Sequence, residues 1–247
     1  MDALPQLAEI AGVFVLAGAV KGMIGMGLPT VAIGILGLFM TPAEAAAVLV
    51  LPTLVTNIWQ AAAGRAFFRL LRRLWPMFAG IFLGAWIGAV VLHSVASPWA
   101  RTALGAVLVI YALLGLSNVH FSVAPKAEAW LAPPVGIVNG IVSVATGVFS
   151  LPALFYLNGL HFRRDELVQA LGMLFTMSTV ALALALVHGG ILHSSAAIPS
   201  VLALAASIVG MVLGQLVRNR IKAELFRKVF LVGLLLLGAH LALHSIL

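Results

Sequence analysis

Apolar residues run through this chain in eight stretches, roughly 5–40, 43–64, 74–94, 99–117, 132–159, 166–188, 191–217 and 226–246, separated by short polar loops. About 19 to 20 residues nearly free of charge are what a bilayer-crossing helix needs. Six stretches suit one crossing each. The first and fifth are too long for that, and glycines interrupt both. The first interruption reads Gly18-Ala-Val-Lys21-Gly22-Met-Ile-Gly25-Met-Gly27-Leu-Pro29, and the second Gly136-Ile-Val-Asn139-Gly140-Ile-Val-Ser143-Val-Ala145-Thr146-Gly147, running on to Pro152. An offset of 118 residues superposes Gly18 on Gly136, Lys21 on Asn139, Gly22 on Gly140 and Gly25 on Ser143. Farther on, an offset of 126 lays Gly84-xxx-Gly88 on Gly210-xxx-Gly214, and Arg101 on Arg227. The pattern predicts an all-α polytopic membrane protein made of two inverted repeats. Each is a Gly-broken re-entrant hairpin or helix pair followed by three transmembrane helices: residues 1–117, a linker over 118–131, and residues 132–247.

Composition removes the alternatives to a membrane protein. Of 247 residues, 63% are hydrophobic and 9% charged, with a mean hydropathy of +1.16; a soluble domain carries about 25% charged residues. The start lacks a basic n-region, so the first helix reads as retained rather than as a signal peptide. With no cysteine, disulfides, thiolate metal sites and iron–sulfur clusters are excluded. The histidines, His93, His188 and His193 among them, show no paired ligand spacing, so neither a metal nor another cofactor is expected. The net charge of +7 does not point to nucleic acid, because the basic residues sit in short loops with no soluble domain to carry a binding surface.

Those loops set the topology. The basic clusters are Arg65/Arg69/Arg72/Arg73, Arg163/Arg164 and Arg218/Arg220/Lys222/Arg227/Lys228. If all eight stretches were simple crossings, the first cluster would lie opposite the other two. If stretches one and five double back at their glycines, all three clusters and Lys126 share one side, leaving only Lys21 and Arg101 elsewhere. The positive-inside rule then makes the Arg-rich loops cytoplasmic and places both termini outside.

The candidate chemistry gathers around the breaks. Backbone that leaves a helix inside a bilayer has amides and carbonyls needing partners, so such breaks persist where they line a cavity. Glycine allows positive φ and close approach of an anion, and a following helix N-terminus favours negative charge. Matched breaks in two repeats mark a transporter's substrate site. Gly18, Gly22, Gly25, Gly27, Gly140 and Gly147 are therefore candidate substrate-binding positions, with Asn139, Ser143 and Thr146 beside them; close helix packing is the competing reading of the glycines. Lys21, a cation deep in an apolar stretch, is a functional candidate in its own right. Thr53, Thr56, Asn57 and Gln60 follow at helical spacing, and Thr176 and Thr179 occupy a similar place in the second half. Glu44 and Glu166 read as helix starts and are the acids available for proton coupling. Trp59, Trp75, Trp86, Trp99 and Trp130 read as interface anchors. On this reading Lys21→Ala or Gly22→Leu abolishes transport and leaves folding intact.

The glycine-rich motif near the start of each half, the apolar run after it, and Pro42-Ala43-Glu44 opening the next helix resemble the TauE/SafE sulfite exporter family, also called the four-toluene-sulfonate uptake permease (TSUP) family. The resemblance covers nearly the whole chain. It departs at Ser143, Ala145 and Thr146, and at Leu28-Pro29, where the family runs to further glycines. What it implies is a bacterial inner-membrane transporter of sulfur-containing anions such as sulfite or organosulfonates. Its partners would be that small anion and the lipid bilayer, with no nucleic acid; a homodimer is compatible with it. No GxxxxGK[ST], HExxH or GxSxG motif occurs, which leaves neither a nucleotide motor nor an intramembrane hydrolase in the chain. The expectation is a secondary carrier, not an enzyme, working by alternating access with substrate held at two facing helix breaks. An anion channel, or the membrane subunit of a multiprotein importer, is the alternative.

Overall fold

The computed structural model describes residues 3–91, 100–117, 122–192, 196–218 and 223–244; His93, Trp99, His193, Arg220 and Lys222 lie outside them. The described residues form ten α-helices: α1 (Ala3–Ile24), α2 (Leu28–Leu36), α3 (Pro42–Ala62), α4 (Phe67–Val91), α5 (Ala100–Leu116), α6 (Pro125–Thr146), α7 (Ala153–Gly159), α8 (Arg164–His188), α9 (Ala197–Arg218) and α10 (Ala223–His244). Seven of them, all but α2, α5 and α7, are long and apolar enough to cross a membrane, and α5 is a shorter apolar helix. The protein is an all-α, multi-pass membrane protein.

Each over-long stretch resolves into a long helix and a short one. The 22 residues of α1 and of α6 span about 33 Å, the thickness of the hydrocarbon core, whereas α2 and α7 reach only about 13 and 10 Å. The breaks fall where glycine alone is comfortable, at Gly25 (φ +79°), Gly27 (φ +99°) and Gly147 (φ +73°). Pro29 opens α2, and Thr41 and Glu44 cap α3 reciprocally, with Thr41 N–H donating to Glu44 Oε2 at 2.9 Å and Glu44 N–H to Thr41 Oγ1 at 3.3 Å. Helix α6 begins at Pro125, inside the segment read as linker. Its first turn is polar and amphipathic, which hydropathy alone passes over, and Arg73 holds it through two hydrogen bonds to Glu128 (2.5 and 2.8 Å).

Glycines set the packing. α1 lies on α9 through Gly18 and Gly22, and α9 returns the contact through Gly210 and Gly214; α6 lies on α4 through Gly136 and Gly140, and α4 returns it through Gly84. A Cβ at any of these positions would fall 2.0 to 2.3 Å from a backbone oxygen of the facing helix. The two pairs are counterparts, and they correct the register read from the sequence. Gly210 abuts Val15 and Gly84 abuts Ile137. Gly25 and Gly147 end their helices alike, each amide donating to the carbonyl four residues back, Lys21 (2.7 Å) and Ser143 (2.8 Å). Val15 and Ile137, like Gly25 and Gly147 and the helix starts Pro42 and Arg164, stand 122 positions apart. The offset of 118 was one turn short, because glycines spaced by four still fall on glycines after a slip of four. The counterpart of Lys21 is Ser143, not Asn139.

The basic loops gather at one end of the bundle. There Arg69 at the start of α4 pairs with Glu166 at the start of α8, and Arg73 with Glu128 at the start of α6. The end of α3 joins them: Gln60 Nε2 donates to Val168 O (2.8 Å), and buried Gln169 donates to Ala61 O (2.7 Å) and Gly64 O (2.9 Å) while accepting from Ala66 N–H (3.0 Å). The ends of α5 and α9 meet the start of α10 at the same end, around one cavity. Arg101, at the start of α5, instead reaches Met40 O before α3 (3.4 Å). Phe14, Leu49, Met77, Ile81, Phe149 and Phe175 fill the interior, and α9 and α10 turn leucines and valines outward, as lipid-facing helices do.

Candidate functional site

Lys21 lies one turn before the end of α1 and is 3% exposed. Its ammonium donates to Thr56 Oγ1 (3.1 Å) and to Asn57 Oδ1, both on α3. Thr56 can accept because it passes its own proton to Pro52 O (2.7 Å), one turn back on α3. Both partners are neutral, and no ion pair to Lys21 occurs among the described residues. A buried charge held only by neutral oxygens carries several kcal/mol of uncompensated desolvation, which an anion would relieve. Two further donors stand on the same face of α3 and find no partner among the described residues: the Asn57 amide nitrogen and the Thr53 hydroxyl, on side chains with no exposure at all. Native proteins seldom leave such groups unpaired, and each calls for an explanation.

The two breaks meet in the interior. Thr30 Oγ, in the first turn of α2, is 3.1 Å from Ser150 Oγ in the segment between α6 and α7. Asn139 binds this second break from behind. Its amide nitrogen faces the carbonyls of Phe149 and Leu151 (both 3.0 Å) and its oxygen accepts from Ser178 Oγ at 3.2 Å. Ser143 Oγ donates to Asn139 O (2.6 Å), and Thr146 closes the end of α6, donating to Val142 O (2.8 Å) and accepting from Val148 N–H (3.2 Å).

The candidate positions thus separate. Lys21, Thr53, Thr56 and Asn57 come together beside the first break, with Gly25 and Gly27 shaping it. Asn139, Ser143, Thr146 and Gly147 build the second break and are satisfied within it. Gly18, Gly22 and Gly140 sit in helix contacts with no room for a side chain. Gln60 ties α3 to α8, while Thr176 and Thr179 return their protons to the carbonyls of Gly172 (2.7 Å) and Phe175 (2.6 Å). Glu44 caps α3 at the end opposite Asn57, and Glu166 is paired with Arg69. Thr30 and Ser150 went unread in the sequence, although hydroxyls next to Pro29 and just before Pro152, right after each glycine run, were a usable signal. Gln169 was another: a lone amide in an apolar helix must find partners.

The sequence model of the family described as sulfite exporter TauE/SafE matches residues 10–241. No curated protein and no solved structure matches the chain.

Proposed function

The chain belongs to the TauE/SafE sulfite exporter family, a family of membrane transporters, and from that premise we propose that it is a secondary carrier of sulfur-containing anions such as sulfite or organosulfonates. The observation that carries this reading is Lys21: a buried cation in a spanning helix, held among the described residues by neutral oxygens only, beside two buried donors that lack acceptors there. An oxyanion seated there would neutralise the ammonium and accept from Asn57 Nδ2 and Thr53 Oγ1. The first amides of α2, which a helix N-terminus leaves unpaired, would face it from the break, and Ser150 would approach from the other half.

Alternating access is supported by the arrangement of the halves. At the Arg-rich end α3 finishes where α8 starts, α4 starts where α9 finishes, and α5 finishes where α10 starts. Counterparts running in opposite directions are what an inverted repeat requires, and the gathered arginines support the reading that this end is cytoplasmic in the inner membrane, with both termini outside. Glu44 and Glu166 stand away from Lys21, so proton coupling through either would act at the ends of the bundle.

The test is thermal stability of purified protein against sulfite, thiosulfate, sulfate, sulfoacetate, taurine, nitrite and acetate, since a ligand of the folded state raises the melting temperature by mass action. Stabilisation by sulfite or a sulfonate in the wild type, absent in Lys21→Met, is the expected result. A response that survives in Lys21→Met removes the lysine from the site, and a flat response to every sulfur oxyanion removes the proposed substrate class.

A further inference from the structure

A cavity of about 450 Å³ opens at the Arg-rich end, between the ends of α1, α5 and α9 and the starts of α8 and α10. Its volume is in the range of small-molecule sites. The polar groups on its wall are Arg164, Arg218, Arg227, Asn158, Glu224 and Tyr111, so three guanidinium groups face one carboxylate. Met23, Ile24 and Met26 complete it on the side of α1. These residues follow Lys21 directly and run into the first break. The cavity therefore leads from the bundle end to the turn of α1 that carries the buried ammonium.

Among the described residues the counterpart break at the other end is packed rather than open. Gly25 and Gly147 share one backbone conformation and one place in their repeats. A Cβ on Gly25 would meet nothing within 4 Å, whereas one on Gly147 would lie 2.9 Å from the Ile33 side chain. Ile24, Gly25 and Met26 are half-buried; Thr146, Gly147 and Val148 are buried. Arg101, which stands where Arg227 stands in the other half, bonds Met40 O, and Leu36 and Leu104 beside it are fully buried. Among the described residues, the equivalent glycine breaks are thus open on the Arg-rich side and packed on the other.

We propose that this cavity is a second anion-binding site, an antechamber in which Arg164, Arg218 and Arg227 hold the anion before it reaches Lys21. The proposal rests on the carrier reading given above for the direction of travel, but not for the binding itself. The ligand is a small oxyanion with the chemistry of the transported one, and a walled recess whose lining carries a net positive charge concentrates it. An arginine fork can donate two parallel hydrogen bonds to a pair of sulfite or sulfonate oxygens. Glu224 works against the ligand and limits how tightly it is held, as a site that must pass its ligand onward requires. A lipid phosphate offers the same chemistry from the bilayer, so the test separates the two sources.

The first measurement is uptake of labelled sulfite by proteoliposomes of phosphatidylcholine alone. Neutralising the pair, Arg218→Gln with Arg227→Gln, raises KM about tenfold and leaves kcat within about twofold, with the melting temperature unchanged. The Arg→Lys pair restores most of the affinity. Glu224→Gln moves KM the opposite way, downward, an inversion that a purely structural role for these side chains would not produce. An unchanged KM in the neutralised pair overturns the antechamber, as does loss of kcat at constant KM. An effect that appears only when phosphatidylglycerol is added overturns it too, by assigning the arginines to lipid. The second measurement is calorimetric titration of sulfite into detergent-purified Lys21→Met. Weak residual binding, lost when Arg218 and Arg227 are also neutralised, is the expected result, and it stands even if the wild type carries no sulfite. No residual binding, whatever the wild type transports, overturns the antechamber.

Discussion

An ammonium group within a bilayer has three protons to place and a hydration shell to replace. Lys21 is given two neutral oxygens on α3, and its neighbour Asn57 offers an amide with no acceptor among the described residues. A side chain set only for packing would have its donors filled. This arrangement leaves positive charge and donors in surplus at one spot, which is what an anion needs. Asn57→Asp tests the point with almost no change of shape. A carboxylate beside Lys21 forms an ion pair in low dielectric and excludes a second anion, so the variant should fold with an unchanged or higher melting temperature and lose its thermal response to sulfite. An undiminished response would show that the anion sits elsewhere. Lys21, Thr53, Thr56 and Asn57 were legible in the sequence because a cation, a hydroxyl or an amide is conspicuous in an apolar stretch. Which of them share a site was not, since Thr176 and Thr179 look the same in sequence and differ only in having backbone acceptors one turn back.

At the scale of elements, glycines have two roles that spacing alone does not separate. Gly25, Gly27 and Gly147 have positive φ and end or begin helices, whereas Gly18, Gly22, Gly136 and Gly140 let backbones touch. The breaks were readable from the length of the first and fifth stretches and from Pro29 and Pro152. The division of labour was not, because both roles are written as glycine at steps of three to four. It follows that Gly22→Leu is a folding lesion, contrary to its reading as a site variant. The new Cβ would lie 2.3 Å from Met211 O, α1 and α9 must separate, and the cost is about 3 kcal/mol or more. The G22L protein should therefore melt well below the wild type or fail to be recovered from detergent. Recovery with wild-type stability would mean that α1 and α9 do not pack as described.

For the whole molecule, the hydropathy pattern and the loop arginines carried most of the architecture: two halves, each a long helix, a short return and three more helices, with the described basic loops at one end. The register of the halves was lost to the glycine periodicity and recovered only from packing. The inequality between the two breaks was not readable from sequence, because Gly25 and Gly147 are equivalent there and only the surrounding helices distinguish open from shut. An anion carrier with its buried cation beside the first break is the reading that joins these scales. Its most direct test is sulfite flux into proteoliposomes containing wild-type protein or Lys21→Met. Methionine keeps the volume and removes a charge that is costly to bury, so the variant should fold as well as the wild type. The prediction is saturable flux in the wild type and flux lower by about 100-fold in the variant, the expected cost of losing a buried charge partner. Equal flux in the two proteins would contradict the account.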